Sequence, residues 1–299
     1  MSKDYFFTFK KLIYAKELAD SNFFIEGWFG IYDDMYSEDS IDTVFVPLFD
    51  FKTEYELCVK SEFIVNMLNG ALVLLGHNNS LQLDLLLNRN SRVREMNAAK
   101  IDYYLKNKII DIEYDHDCFK LLKKKSNLLA LIYLSNFDHY CRYSLFILSK
   151  FGCDYVSLYK LYESMYDRIN YFIKLFRPST IKEKTYKSHI EKIISSNRSI
   201  FSDIDTFNKV ANKYSYTGVF SRHGINFRSN DGALSSAESK LSEEEIFENG
   251  KKAILIMVYS SLLKLYLWSK DNNAQILSYN EVDFIQMTRN KGNFANELF

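Results

Sequence analysis

Proline is almost missing from this sequence: it occurs twice in 299 residues, at Pro47 and Pro178. Proline removes a backbone donor and clashes with the preceding turn, so its scarcity leaves long helices uninterrupted. The segment between Gly152 and Pro178 illustrates the consequence. Asp154 stands where it can cap a helix. After it, Tyr155, Leu158, Tyr159, Tyr162, Met165, Ile169, Phe172 and Phe176 recur at helical period. Residues 126–150 form a second long apolar segment, stopping at Phe151-Gly152. Within Ser199–Tyr214, the residues Ile200, Ile204, Phe207, Ala211 and Tyr214 make a seam for packing on another helix. Ser242-Glu-Glu-Glu245 is a capping-box signal ahead of an apolar helix to about Trp268. The expected fold class is therefore mainly α. Residues 116–299 are expected to form a helical bundle rather than a nucleotide-binding α/β fold.

The first 115 residues carry a mixed pattern and are expected to form a helical region with a small β-sheet. Residues 4–20 have a rough helical stripe at Phe6, Phe9, Leu12, Ile13 and Leu18. Residues 42–49 alternate around β-branched positions, and Pro47 points to an edge strand. Residues 53–75 read as a helix ending near Gly76. Leu81, Leu83, Leu85 and Leu87 alternate with Gln82 and Asp84, and Ile110, Ile112 and Tyr114 with Asp111 and Glu113; both have the period-2 pattern of half-buried strands.

Lys plus Arg and Asp plus Glu both number 38, so no global field attracts a polyanion. The four cysteines form no C-x-x-C pair and read as reduced thiols. The opening residues lack a signal-peptide pattern. The apolar stretch Ala253–Leu263 is shorter than the about 20 residues a spanning helix needs. A cytoplasmic protein without a membrane partner is expected. The P-loop, G-x-G-x-x-G, G-x-S-x-G and H-E-x-x-H motifs do not occur, which argues against the enzymes that carry them, and no cofactor is expected.

The strongest chemical candidate is Ser221-Arg222-His223-Gly224-Ile225-Asn226-Phe227-Arg228, within a Gly-, Ser- and Asn-rich loop over about 215–240. Arginine can clamp phosphate and histidine can shuttle protons near neutral pH. Arg222 and His223 are the candidate catalytic pair, with Asn226 and Arg228 as binding residues. The plainer alternative is a solvated loop whose arginines cap a helix. Asp33, Asp34, Glu38 and Asp39 form an acidic run with no Ca²⁺-loop spacing, read as a solvated loop. In Asp115-His116-Asp117-Cys118, helix capping explains the aspartates better than a metal does. His139 with Cys141 makes no better metal site, His77 and His189 stand as ordinary surface or capping residues, and no metal site is expected.

The stretch from Leu158 through Asp167-Arg-Ile-Asn170-Tyr-Phe to Phe176 resembles a helix of the HEPN superfamily. The seam helix and the Arg222-His223 loop resemble the region where that superfamily places its Arg/His motif. The resemblance covers roughly residues 126–268. It implies a helical RNA-binding protein or metal-independent endoribonuclease, often dimeric, of the kind found in phage-defence and toxin–antitoxin systems. The family's arginine and histidine stand four to six residues apart, whereas Arg222 and His223 are adjacent. A homodimer is expected from the kinship and from the aromatic load of the helices. The alternative is a non-catalytic helical interaction protein that docks a protein partner.

Overall fold

The computed structural model describes residues 5–9, 12–37, 40–77, 80–88, 91–93, 107–195, 199–211 and 241–271. It is mainly helical, with one antiparallel sheet in the N-terminal region. The sheet strands are β1 (Tyr5–Phe9), β2 (Phe24–Ile25), β3 (Phe29–Ser37), β4 (Ser40–Pro47), β5 (Leu83–Asn88) and β6 (Ser91–Val93). Their order is β2-β3-β4-β1-β5-β6. Helices α1 (Leu12–Asp20) and α2 (Glu54–Leu74) belong to the same region. The helical reading of residues 4–20 is thus half right. Phe6, Phe7 and Phe9 form an interior strand between β4 and β5, all three buried, and the helix starts only at Leu12. Aromatic residues suit a pleated, covered surface. Pro47 also departs from expectation, because β4 is interior rather than an edge. Proline is tolerated there as the last residue of the strand, opposite Phe29.

Phe45 on β4 stacks on Phe29 with ring centroids 5.3 Å apart and meets Phe7 edge-on at 6.1 Å. Helix α2 is the one helix among the described residues long and apolar enough to cross a membrane. However, 78% of its most apolar window is buried inside the protein, the position of a core helix. Thr53 caps it by accepting from the Glu56 amide at 3.1 Å, and it ends just before Gly76 as expected.

Helices α3 (His116–Lys125), α4 (Asn127–Phe137) and α5 (His139–Phe151) follow. The single apolar segment read at 126–150 is two helices. Asp138 adopts an extended backbone, ends α4, and starts α5 by accepting from the Tyr140 and Cys141 amides at 2.9 and 3.2 Å. Residues 110–114 are not a strand. The side chain of Asn136 serves in place of a neighbouring strand: its oxygen accepts from the Ile109 and Ile110 amides at 2.7 and 2.9 Å, and its nitrogen donates to the Ile110 carbonyl at 2.9 Å.

The chain divides into two compact units after Lys150. The junction expected at 115/116 lies inside the first unit, because helices α4 and α5 belong to its core. Trp28 is fully buried and stacks on Tyr133 at 5.5 Å, and Leu145 of α5 backs directly onto Gly70 of α2. The second unit contains α6 (Tyr155–Phe176), α7 (Glu183–Ile194), α8 (Ser199–Ala211) and α9 (Glu243–Tyr259). A π-helical turn (Ser260–Lys264) and α10 (Leu265–Asp271) continue α9. The helix expected over 154–176 is present, capped by Asp154, which accepts from the Ser157 amide at 2.6 Å.

Candidate functional site

Arg222, His223, Asn226 and Arg228 lie outside the described residues. The helices on either side of their segment are described, and both are built as their sequences suggest. The seam residues Ile200, Ile204, Phe207 and Ala211 of α8 are buried. Tyr214 lies outside the described residues. Helix α9 opens with a complete capping box: Ser242 Oγ accepts from the Glu245 amide at 3.2 Å, and the Ser242 amide donates to Glu245 Oε2 at 2.8 Å. The α8 and α9 backbones approach closely because residue 250 is glycine. A Cβ there would sit 2.4 Å from Phe207 Cβ. Tyr155 of α6 completes the junction, stacked on Phe207 at 5.1 Å and edge-on to Phe247 at 4.9 Å. The segment that holds the candidate residues therefore departs from and returns to two helices packed on each other.

Helix α6 carries the stretch that resembles the HEPN superfamily. Leu158, Leu161, Met165, Ile169, Phe172 and Ile173 form its buried face, and the Arg168 side chain is buried among them at 1% exposure. Tyr159 and Tyr162, expected within the buried stripe, flank it half-exposed. With Tyr166 they form a ladder: Tyr159 meets Tyr162 at 6.0 Å, and Tyr162 stacks on Tyr166 at 5.7 Å. Lys187 lies over the Tyr166 ring at 5.3 Å and donates to its hydroxyl at 3.3 Å. Burial, then the neighbouring Tyr166 and Asp205, push the Tyr162 hydroxyl above its ordinary pKa, so it stays protonated at neutral pH. The periodicity of the sequence placed these tyrosines correctly on α6 but did not distinguish its rim from its core.

Asp115-His116-Asp117-Cys118 in the first unit is a helix start. Asp115 Oδ1 accepts from the Asp117 and Cys118 amides at 2.8 and 3.3 Å. His116 Nδ1 sits 3.2 Å from the Tyr114 hydroxyl. Burial first, then Asp115, raise the Cys118 thiol above its ordinary pKa, the opposite of what a nucleophile needs. Among the described residues, no three His, Cys, Asp or Glu side chains gather where a metal could sit. The acidic run read as a loop begins on strand β3. There Asp33 is exposed and accepts from Thr43 Oγ1 at 2.8 Å, while Glu38 and Asp39 lie outside the described residues. His189 meets the Trp268 ring edge-on at 5.7 Å.

The C-terminal half of α3 carries a basic cluster that no sequence motif marks. Lys120, Lys123, Lys124 and Lys125 fall within six residues, and Leu121 between them is 58% exposed. Among the described residues, no ion pair joins any of these lysines to a carboxylate. The signal was present as a run of basic residues, masked by the zero net charge of the whole chain. No protein-family model, no curated protein and no solved structure matches this chain.

Proposed function

We propose that the protein is a HEPN-like helical protein that binds RNA and cleaves it without a metal, with Arg222 and His223 as the reacting pair. The observation that supports this reading is the arrangement of the described helices between residues 151 and 271. A long helix bears Asp167-Arg-Ile-Asn-Tyr-Phe, and a close-packed helix pair then brackets the segment containing Arg222 and His223. Strand scission without a metal needs a base to activate the 2′-hydroxyl and a cation to stabilise the crowded phosphorane. Histidine and arginine suit these roles. Asn226 and Arg228 would hold the RNA beside them. A two-fold pair of chains would place two such segments in one assembly, so the reading includes a homodimer. It also includes a cytoplasmic setting in prokaryotic defence or a toxin–antitoxin system.

A second reading is a non-catalytic helical protein that docks a protein partner. The adjacency of Arg222 and His223 and the zero net charge favour it. RNA binding and cleavage by the parent and two variants decide between the readings. Arg222→Ala removes a planar cation that can hold phosphate in a bidentate way, so binding and rate should both fall, by about 1.5–3 kcal/mol. His223→Ala should leave binding near parental and lower the rate by about 10²–10⁴-fold. Chelation of divalent ions should leave parental cleavage intact. A parent that neither binds nor cuts RNA removes the first reading and leaves the second.

A further inference from the structure

Helix α3 is amphipathic, and its polar face is basic. Its apolar face, Phe119 and Leu122, is 0% and 5% exposed, spent entirely within the first unit. Its outward face carries Lys120, Lys124 and Lys125, all exposed. Two of the four lysines have local work: Lys123 donates to Asn127, and Lys125 lies 4.6 Å over the Phe24 ring. Lys120 and Lys124 have neither, and no carboxylate among the described residues pairs with them. Asp117 stands one turn before Lys120 without forming an ion pair, and Asp115 is engaged in capping. Cations in a last helical turn are favoured by the helix dipole, which accounts for Lys123 to Lys125 but not for Lys120.

We propose that the outward face of α3 binds the phosphate backbone of a single RNA strand, with Lys120 and Lys124 as its principal contacts. This rests on the RNA reading above but concerns a different unit of the chain. The two lysines are one helical turn apart, about 6 Å along the axis, so their ammonium groups can meet neighbouring phosphates of one strand. Lysine recognises phosphate as a point charge and carries no sequence information, so this surface supplies affinity and register. An anionic bilayer is the weaker match. A helix that lies in a membrane surface needs a broad free apolar face, and here only Leu121 is free.

The test compares the full chain, the double variant Lys120→Gln/Lys124→Gln and a charge-matched control, Lys160→Gln/Lys184→Gln, whose lysines are exposed in the second unit. Each binds a labelled single-stranded RNA across a salt series, with circular dichroism as the folding check. Each phosphate contact contributes about 0.7 to the slope of log affinity against log salt for a single strand. Losing two contacts should flatten the slope by about 1.4 and weaken binding roughly 25-fold near 0.1 M salt. The control should bind as the parent does. Equal binding by parent and α3 variant overturns the proposal while leaving the RNA reading intact. No RNA binding by the parent overturns both. A third arm uses vesicles containing anionic lipid. Vesicle binding lost in the α3 variant, with RNA binding unchanged, assigns the face to a membrane surface and overturns the proposal.

Discussion

The two units stabilise their backbones by different means. In the first, buried polar side chains satisfy main chain that has no secondary structure to pair with. Asn136 holds Ile109 and Ile110, and Asn69 holds Leu81 by accepting from its amide at 2.7 Å and donating to its carbonyl at 2.8 Å. Arg142, fully buried, donates to the carbonyls of Ser135 at 2.8 Å, Asn136 at 3.2 Å, and Asn107. Two of those carbonyls belong to the last turn of α4, where carbonyls have no helical partner. In the second unit, side-chain caps open α6 and α9, aromatic seams join the helices, and the buried residues are mostly apolar. A unit built on surrogate hydrogen bonds should fail abruptly when one is removed, since the orphaned groups are buried away from water. A unit built on apolar packing should yield by degrees.

The sharpest way to break this comparison uses one glycine from each unit. A Cβ at residue 70 would lie 1.8 Å from the backbone oxygen of Leu145, which can move only if α5 moves. At Gly250 the obstacle is the side chain of Phe207 at 2.4 Å. Gly70→Ala should therefore destabilise the first unit by more than about 3 kcal/mol, the upper end for overpacking, or prevent its folding. Gly250→Ala should cost the second unit about 1–3 kcal/mol. Peptide-resolved hydrogen exchange reports each unit separately. Equal losses of protection would show that the α2–α5 crossing is softer than its geometry implies.

The next largest effect belongs to the polar rivets. Arg142→Met keeps much of the volume but strands three carbonyls, and Asn136→Leu strands two amides and a carbonyl. Each should cost about 3 kcal/mol or more, since three buried backbone groups lose their partners at about 1–3 kcal/mol apiece. Burial, partly offset by Asp138, brings the Arg142 guanidinium down to a pKa of about 10, so it remains charged at neutral pH. Arg142→Lys keeps that charge but cannot reach three carbonyls with a planar fork, and should recover less than half of the loss. Full recovery by lysine would mean that charge, rather than the fork, holds the α4–α5 corner.

The same contrast explains what could be read in advance. Helix α6, the α9 capping box, the helix ending before Gly76 and the strand over Leu83–Asn88 are written in local period and caps, and they are where they were expected. The strand at Phe6 to Phe9 was not, because an interior strand covered on both faces loses its alternation. Ile110, Ile112 and Tyr114 do alternate, yet their partner is the Asn136 side chain, a long-range pairing that no local pattern encodes. The break at Asp138 has neither glycine nor proline to mark it. Its only signal is an aspartate that can cap, buried here at 0% exposure. As for function, Arg222 and His223 are candidates by residue type alone and lie outside the described residues, whereas the lysine face of α3 needed the fold to show which side of the helix was already used.

The smallest prediction compares two helix starts of similar design. Glu56 accepts from the Lys52 amide at 2.9 Å and pairs with Lys60 at 2.7 Å; Glu245 accepts only from its own cap. At Glu56 burial opposes ionisation, but the Lys60 and Lys52 hydrogen bonds and charges outweigh it and hold the carboxyl below its ordinary 4.5. At Glu245 the bonds from Ser242 lower it. A depressed carboxyl contributes stability that is fully present above the unfolded pKa and disappears as pH falls through the folded value. Both helix starts should therefore loosen only below about pH 4.5. Glu56→Gln should remove that acid sensitivity from the first turn of α2 and cost a few tenths to about 1 kcal/mol at neutral pH, because the pair is partly exposed. Glu245→Gln should cost less, since no lysine is lost with it. High salt separates the two further: it should narrow the Glu56 effect by screening Lys60 and leave the Glu245 effect nearly unchanged, because a capping hydrogen bond is short-ranged. Acid sensitivity that survives Glu56→Gln at α2 would place the titrating group elsewhere in that turn, with Glu54 the nearest carboxylate to examine.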